Sequence, residues 1–551
     1  MQSLLSSVRA LSHALFWLAA FNVLVVCLGG YDISIGPFRL VAHDLFKPLQ
    51  YFNGLFFIVL MLKTSIDPRP PDKAHSIEKR EISPGVWTIS LLGVAVLHSQ
   101  SFVVNLHHAA WAYGNLRLAT FQSVLGLFTT PLPDGFYRPV GYFSLWMDQR
   151  LFGDMPWACH LQSIALHLIN VYLVYRLGLG LRLDRRAAYC GAMLLGLFPS
   201  AFEAVLWPAA RFDLLATTFE LLALTLALRY LTAPKASAWL MAFATTAYAV
   251  SILNKESAYS FPLLLGLLAL SSRLQWTPSI PHYRFLRLMV ATAAVTVLGL
   301  ILRIVIYGNL GGYARTSGAS PNFEVSWNVL FMGVTRLFGV APFQINHAIG
   351  LPIWMRLGIV IYVVALIVVA RKQARLNNKC VLLLAGACLA AVPVISLLGW
   401  VGPTAQQARY LYWPGVFLCL FFAELILQTR RPLVPAAALA LAYVLGTTLN
   451  LWIYRDMVTG MEQFVNQIQA DSASRPDVSQ ARLIGYADNG VFYLDEEMQD
   501  RIRERTPNLA VSLDYDSSKA TSILSQPNQL VYCWQTNLRR YRSCTEVGQR
   551  D

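Results

Sequence analysis

Three stretches between residues 136 and 224 decide the fold of this chain: FYRPVGYFSLWMDQRLFG (136–153), HLQSIALHLIN (160–170) and FPSAFEAVLWPAARFDLLATTFELLAL (198–224). Each places ionisable side chains at the edges of long apolar runs. Such groups are costly in a membrane unless they serve a water-filled site. The stretches therefore predict membrane helices whose ends carry a functional site. The residues in question are Arg138, Asp148, His167, Glu203, Arg211 and Asp213.

The composition is that of a membrane protein with many spans. The 551 residues are 56% hydrophobic and only 13% charged, whereas soluble domains usually carry about 25% charged residues. The mean hydropathy is +0.48. Runs near 20 apolar residues can cross a bilayer as helices, and about thirteen occur. We therefore predict an all-α polytopic membrane protein with spans near 13–30, 49–64, 86–104, 157–178, 187–206, 211–231, 237–254, 258–272, 285–306, 353–371, 380–400, 411–428 and 434–454.

The distribution of Lys and Arg predicts the orientation. Basic residues concentrate in alternate loops, as at Lys79-Arg80, Arg185-Arg186 and Arg430-Arg431, and such loops face the cytoplasm. An odd number of spans then leaves the N-terminus cytoplasmic and residues 455–551 extracytoplasmic. The net charge of +14 is spread over short loops beside spans, which argues against nucleic-acid binding.

These features predict a multi-pass protein of the cell membrane. No small-residue cleavage site follows Gly30, so the first apolar run is expected to remain as an anchor. The sequence has no Asn-x-Ser/Thr sequon, which favours a bacterial inner membrane, with the endoplasmic reticulum as the alternative.

The C-terminal residues 455–551 carry the pattern of a small soluble domain. Residues 455–480 predict a polar helix leaving the membrane and a short joint. A charged helix is predicted at 495–505. The domain is thus expected to be α+β and extracytoplasmic, with strands near 481–486, 491–494, 510–515 and 529–534.

The cysteines predict one disulfide. Cys533 and Cys544 both fall in the C-terminal domain, where an oxidising compartment favours a disulfide between them. The other six cysteines lie in or beside spans at no ligand-like spacing, so we expect no metal there.

Two long outer loops and three short turns hold the candidate chemistry. The loops 105–156 and 307–352 are longer than ordinary connections. Within the second, WNVLFMGVTRLFGV (327–340) is too short to span and predicts an amphipathic helix in the membrane interface. The candidate residues of these loops and turns are His107, His108, Asp134, Arg138, Glu203, Arg211, Asp213, Lys255, Glu256, Arg303, Arg409 and Tyr410.

Several charged and polar residues also have structural interpretations. Arg211 and Asp213 are two residues apart and cannot share a helix face. They are expected to pair with different helices or to lie in a turn, and a structural pair is as good an interpretation as a substrate contact. His167 is more typical of an interhelical hydrogen bond than of a ligand, and Asp134 in PLPDGFY is typical of a turn.

Five motifs follow one another along the chain: YRP (137–139), EAVLWPAARFDLLA (203–216), NKE (254–256), YGNLGGY (307–313) and ARYLYWP (408–414). Their order resembles the polytopic GT-C glycosyltransferases, and most of all the protein O-mannosyltransferase-like group that includes the transmembrane and tetratricopeptide-repeat mannosyltransferases. The most specific part is the EAV...R.DLLA segment. The likeness covers about residues 86–454, with 1–85 (two spans and a basic loop) and 455–551 as additions.

The resemblance implies a reaction. Similar enzymes take a sugar from a polyprenyl-phosphate carrier in the membrane and transfer it, with inversion, to a protein, lipid or glycan acceptor on the outer face. No cofactor is implied, and no spacing indicates a divalent metal, although one can bind where carboxylates meet phosphate. Arg pairs well with phosphate oxygens. The expected substrate-binding or phosphate-binding residues are Arg138, Glu203, Arg211, Asp213, Lys255, Glu256, Arg303, Arg409 and Tyr410.

The chain departs from the family pattern at the catalytic base. Similar enzymes usually carry an acidic residue where the first outer loop of the core opens, whereas this chain reads FVVNLHHAAW. An imidazole near neutral pKa can accept a proton, but an amide cannot. The base is thus expected at His107, His108 or Asp134, or the chain has lost transferase activity.

Three other functions stay open. A secondary transporter or lipid flippase would place charges near span centres and show an internal repeat, whereas these charges lie at span ends. A ligase-like or polymerase-like enzyme of O-antigen assembly also relies on outer arginines but lacks the EAV...R.DLLA turn. A non-catalytic accessory protein that binds or moves a lipid-linked sugar is favoured only by the missing acidic residue.

Overall fold

The computed structural model describes most of the chain. The described residues are 2–28, 30–35, 38–42, 44–63, 82–99, 119–131, 136–153, 155–235, 237–277, 279–308, 326–347, 351–372, 376–404, 407–484, 502–503, 505–514, 529–535 and 540–543.

The described part of the chain is mainly helical. In chain order the helices are α1 Gln2–Cys27, α2 Phe46–Lys63, α3 Pro84–His98, α4 Phe121–Gly126, α5 Pro139–Phe152, α6 Pro156–Gly180, α7 Arg185–Gly196, α8 Phe202–Leu206, α9 Arg211–Thr232, α10 Ala238–Ile252, α11 Phe261–Arg273, α12 His282–Tyr307, α13 Trp327–Gly339, α14 Ile353–Lys372, α15 Asn378–Ala391, α16 Ile395–Leu398, α17 Tyr412–Leu427 and α18 Leu433–Ser474.

The fold class predicted from the sequence is confirmed. Within the described residues, every predicted span overlaps a helix or two helices in succession. Among the described residues, eight helices are long and apolar enough to cross a membrane, and nine if α7 and α8, which meet at a 49° bend, form one span. Helices α2, α3 and α10 are apolar but shorter. The total of about thirteen spans stays a prediction.

Local sequence explains several helix boundaries near the site. Proline occupies the first turn of α5, α6 and α11, where its missing N–H leaves no hydrogen bond unmade. Pro199 falls between α7 and α8 and begins a short 3-10 turn, Pro199–Ala201. Since proline disfavours a helical conformation in the residue before it, the chain bends there and turns Glu203 inward.

The described residues of the predicted outer loop 105–156 include two helices, α4 and α5. Neither was predicted from the sequence; α5 is too short to span and carries Asp148 and Arg150 within it. In the second outer loop the predicted amphipathic helix is present as α13. Its outward face carries Trp327 and Phe331, which are 87% and 68% exposed.

The core of the bundle is built around α17, nearly all of which is buried. It packs against α7 and α15. Gly191 of α7 permits the close approach, because a Cβ there would lie 2.7 Å from the side chain and 3.0 Å from the Cα of Leu420. The middle of α17 therefore lies close against α7 inside the bundle.

The strands form two small sheets. An antiparallel pair, β1 Tyr31–Ile35 and β2 Phe38–Ala42, follows α1. The C-terminal sheet has the order β4-β3-β5-β6, with β3 parallel to β4 and β5, and β6 antiparallel to β5. Its strands are β3 Gln480–Ile484, β4 Ala510–Asp514, β5 Gln529–Gln535 and β6 Arg540–Ser543.

The C-terminal sheet packs on the last part of α18. This helix has 42 residues and is thus about 63 Å long, twice the thickness of a bilayer core. The ring of Phe464 lies 5.0 Å from that of Tyr532 on β5, and the Tyr532 hydroxyl donates to Asp471.

The predicted strands near 481, 510 and 529 are confirmed, and β6 was not predicted. The strand predicted at 491–494 lies outside the described residues.

Candidate functional site

Seven charged residues from distant parts of the chain gather at one end of the helical bundle. Each lies at or beside the end of an element, such as the residue before α5 or the turn between α10 and α11. Their side chains are only 3% to 14% exposed. We call this set the ion cluster: Arg138, Glu203, Asp213, Lys255, Glu256, Arg303 and Arg409.

Glu256 joins two arginines of the cluster. Nη2 of Arg138 donates to Oε2 of Glu256 at 2.8 Å, and Nη2 of Arg303 donates to Oε1 at 2.7 Å. Arg303 also donates to the carbonyl of Tyr137 at 3.3 Å. The end of α12 thereby fixes the segment before α5, and Arg138 with it.

Lys255 pairs with Asp213 in the middle of the cluster. Its Nζ donates to Oδ2 of Asp213 in the first turn of α9. The same Nζ lies 4.8 Å from the ring centre of Tyr410, and the guanidinium of Arg409 lies 4.7 Å from that ring. Tyr410 therefore stands between two cations, which a π face attracts.

Glu203 organises the turn that carries Arg409. Its carboxylate accepts the backbone N–H of Gln407 at 3.3 Å, the backbone N–H of Arg409 at 2.8 Å and Nη1 of Arg409 at 2.7 Å. Gln407 has a φ of 65°, a left-handed conformation that costs about 1 kcal/mol or more in a residue other than glycine. The contacts to Glu203 offset this strain and aim Arg409 at the cluster.

Aromatic rings line the cations. Arg138 lies 4.1 Å from the ring centre of Phe136, and Arg409 lies 4.9 Å from that of Trp207. Trp207 ends α8 and precedes the 3-10 turn Pro208–Ala210. These rings pack against the guanidiniums, whose positive charge a π face attracts.

Burial and neighbouring charges shift two groups in the turn between α10 and α11. Burial lowers the pKa of the Lys255 ammonium to about 8; Asp213 opposes the shift, and the positive charges of Arg138 and Arg409 add to it. Burial alone would raise the pKa of the Glu256 carboxyl, but Arg138 and Arg303 outweigh it and hold that pKa well below its ordinary value.

The cluster keeps a positive charge. Four cations face three carboxylates within it, which leaves one net positive charge when Lys255 is protonated. Arg and Lys at such density are typical of sites for phosphate groups.

Arg211 lies apart from these ion pairs. It is fully buried, pairs with Asp148 of α5, and donates to the Cys159 carbonyl at 2.8 Å and the Ser163 hydroxyl at 3.4 Å, both on α6. Arg211 and Asp213 were both expected among the substrate-binding or phosphate-binding residues. Asp213 belongs to the ion cluster, whereas Arg211 does not. The cause is helical geometry, because residues two apart point to different sides.

The candidate bases and one of the paired cysteines lie outside the described residues. They are His107, His108, Asp134 and Cys544. Cys533 on β5 is disulfide-bonded. Among the residues that the structure describes, no group of three or more His, Cys, Asp or Glu side chains could hold a metal ion.

Two buried polar groups belong to the transmembrane part. His167 bonds to the Tyr412 hydroxyl at 2.8 Å, so its predicted interhelical hydrogen bond is confirmed. Glu220, in the middle of α9, is fully buried and was not singled out from the sequence. The signal was present, since a lone carboxyl inside the apolar run ATTFELLAL indicates a functional position.

Part of the chain matches a known protein family. The family described as dolichyl-phosphate-mannose-protein mannosyltransferase matches residues 133–298, so the resemblance predicted from the sequence is confirmed over that segment. The matched segment includes Arg138, Glu203, Asp213 and the pair Lys255-Glu256, whereas Arg303 and Arg409 lie beyond it. No curated protein matches the chain by sequence.

Solved membrane proteins share a distant likeness. The oligosaccharyltransferase of Archaeoglobus fulgidus in its apo form is 12% identical with a TM-score of 0.39 over 78% of this chain and 65% of its own; the chain thus spans just under two thirds of that protein. AglB from the same organism, in complex with an inhibitory peptide and a dolichol-phosphate, is 11% identical with a TM-score of 0.42 over 81% of this chain and 69% of its own. ArnT from Cupriavidus metallidurans bound to undecaprenyl phosphate is 15% identical, with a TM-score of 0.32 over 83% of this chain and 94% of its own.

Proposed function

We propose that this protein is an integral-membrane glycosyltransferase that moves a sugar from a polyprenyl-phosphate carrier to an acceptor hydroxyl on the extracytoplasmic face. The observation that carries the proposal is the ion cluster, in which four cations and three carboxylates converge from separate elements. The match of residues 133–298 to a family of mannosyltransferases supports the same class of reaction.

The charge of the cluster suits a sugar joined to a lipid phosphate. Such a phosphodiester carries one negative charge, and its phosphate gains a second as the bond to the sugar breaks. Glu256 holds the guanidiniums of Arg138 and Arg303 side by side, and guanidiniums form strong charge-assisted hydrogen bonds with phosphate oxygens. Donors held ready for charge that develops in the transition state lower the barrier.

The transfer itself needs one proton acceptor. The acceptor oxygen attacks C1 of the sugar opposite the phosphate, so the configuration at C1 inverts. The bond from C1 to the phosphate oxygen breaks, and its electron pair stays on the phosphate. The hydroxyl proton passes to a base, for which His107, His108 and Asp134 are the candidates. Glu203 and Asp213 hold Arg409 and Lys255 in place.

The outward position of the site rests on α18. Asn450 and Thr447 of this helix donate to the Pro199 and Leu197 carbonyls, close to Glu203. Beyond Asn450 the helix continues to the C-terminal sheet, so the ion cluster and the sheet share one end of the bundle. The disulfide at Cys533 requires an oxidising compartment, which supports an extracytoplasmic location for that end. A cysteine introduced at position 475 (Arg475→Cys) tests this location. A membrane-impermeant maleimide is expected to label it in intact spheroplasts. Labelling only after lysis would place the C-terminal domain in the cytoplasm.

We propose three domains along the chain. Residues 1–85 form an N-terminal addition, 86–454 the transferase core and 455–551 an extracytoplasmic domain.

The experiment that tests the proposal measures consumption of a radiolabelled mannosyl phosphate on undecaprenol or dolichol by the full-length protein in liposomes, with membrane extract as acceptor source. Arg138→Ala and Arg303→Ala are expected to lower the rate tenfold or more, about the effect of losing one charge-assisted hydrogen bond. Arg284→Ala is the matched control, because this buried arginine binds backbone carbonyls at the other end of α12.

The results separate the alternatives. Carrier binding without sugar transfer in the wild type would favour the accessory protein that binds or moves a lipid-linked sugar. Equal rates in wild type, Arg138→Ala and Arg303→Ala would remove the ion cluster from the site.

A further inference from the structure

A carboxyl group lies buried in the middle of α9, below the ion cluster. Glu220 follows Asp213 by seven residues, which is two helical turns, so both side chains face the same side about 10 Å apart along the axis. Glu220 is fully buried. An ionisable side chain inside a membrane span is costly and marks a functional position by default.

Glu220 is the end of a hydrogen-bonded relay. The Ser260 hydroxyl donates to Oε1 of Glu220 at 2.7 Å, and the indole N–H of Trp413 donates to the Ser260 oxygen at 2.9 Å. Oε2 of Glu220 has no hydrogen-bond partner within the described part of the chain. All three side chains are buried, so each lost contact would leave a polar group unsatisfied.

The relay joins the three elements that carry the centre of the cluster. Glu220 is on α9, as is Asp213. Ser260 ends the 3-10 turn Glu256–Ser260, which begins just after Lys255. Trp413 is in the first turn of α17, directly after the turn with Arg409 and Tyr410. The spacing between the relay residues therefore fixes the spacing between Asp213, Lys255 and Tyr410.

The far side of the relay is apolar. A cavity one turn further along the same three helices is lined by Leu224, Leu264 and Phe417, each four residues beyond a relay residue. Leucine side chains cannot replace a lost hydrogen bond, and removal of the Glu220 acceptor would leave the Ser260 hydroxyl unsatisfied.

We infer that Glu220 is a positioning residue of the phosphate site: through Ser260 and Trp413 it holds α9, the Lys255 turn and α17 at the distances at which the ion cluster binds a lipid-linked phosphate. The inference rests on the proposed function, since it assigns the cluster to phosphate. Glu220 touches neither donor nor acceptor and acts through the elements it joins.

The test measures binding of radiolabelled undecaprenyl phosphate, with undecaprenol as the uncharged control, to full-length protein in nanodiscs. Glu220→Leu and Ser260→Ala are expected to weaken binding about tenfold, the effect of one lost buried hydrogen bond. Glu220→Gln keeps an oxygen acceptor for Ser260 and is expected to restore affinity to within about twofold. Trp413→Phe removes the indole donor and covers the case in which Glu220→Leu does not fold.

Ser271→Ala is the matched control, because this buried serine of α11 bonds to Leu268 and Thr277 at the other end of the helix. It is expected to bind as the wild type does. Recovery of affinity in Glu220→Gln, with every variant of the series still folded at the assay temperature, marks positioning rather than general support of the fold.

Two results overturn the inference, and they are distinguishable. The first result is wild-type affinity in all three relay variants, Glu220→Leu, Ser260→Ala and Trp413→Phe, while Arg138→Ala binds weakly. It would reject the relay and leave the proposed function intact. Failure of the wild type to prefer undecaprenyl phosphate to undecaprenol would reject the proposed function and the inference with it.

Discussion

Arg138 and Arg303 donate to opposite oxygens of one carboxylate, that of Glu256, at 2.8 and 2.7 Å. We therefore predict that Glu256→Ala destabilises the protein by about 3 kcal/mol, since two largely buried cations would then face each other without a counter-charge. Thermal unfolding in detergent measures this. An unchanged melting temperature would mean that solvent or lipid neutralises the two guanidiniums.

Lys255 predicts a pH dependence of phosphate binding. Its pKa is about 8, and only the protonated form attracts phosphate, so affinity for undecaprenyl phosphate is expected to fall as pH rises through about 8. Its contribution to folding has the opposite sign. Between about 8 and the ordinary lysine value near 10.4 the unfolded chain binds more protons, so stability rises with pH there.

Lys255→Arg checks the pH prediction, because arginine stays charged over this range. The variant is expected to lose the fall in affinity near pH 8. The same pH profile in wild type and variant would assign the titration to another group.

Arg211 and Asp148 predict a structural rather than a catalytic defect. Both side chains are fully buried and paired, so Arg211→Ala leaves an uncompensated carboxylate and is expected to cost about 3 to 5 kcal/mol. The double variant Arg211→Met, Asp148→Leu removes both charges and is expected to regain folding. If Arg211→Ala instead folds normally but is inactive, this arginine contacts the substrate.

The catalytic base predicts one large effect among three variants. His107→Ala, His108→Ala and Asp134→Asn are compared singly in the donor-consumption assay. Loss of general-base catalysis costs about 10² to 10⁴ in rate, so one variant is expected to lose at least two orders of magnitude while it still binds undecaprenyl phosphate. Full activity in all three would move the base elsewhere.

The helices were predictable because run length and hydropathy decide them. In the part of the chain that the structure describes, each predicted span overlaps a helix or two successive helices, since a run of about 20 apolar residues has few other stable conformations in a membrane. Helix α5 was missed because Asp148 and Arg150 interrupt a short apolar pattern. Strand β6 was missed because RYRS (540–543) has little apolar alternation.

The members of the ion cluster were predictable, but their pairing was not. Charges at span ends pointed to Arg138, Lys255 and Arg303, whereas the choice of Glu256 as the shared partner depends on how the end of α12 lies beside the segment before α5. Arg211 was grouped with the phosphate-binding residues because of its place in the EAV...R.DLLA motif, and its burial against α6 required the fold.

The central claim is that the ion cluster binds the phosphate of a polyprenyl carrier, and a cryo-EM structure of the protein with undecaprenyl phosphate in nanodiscs tests it most directly. The account predicts phosphate oxygens about 3 Å from the guanidinium nitrogens of Arg138 and Arg303, with Lys255 beside them. A phosphate bound elsewhere, with the Glu256 pairs unchanged, would contradict it.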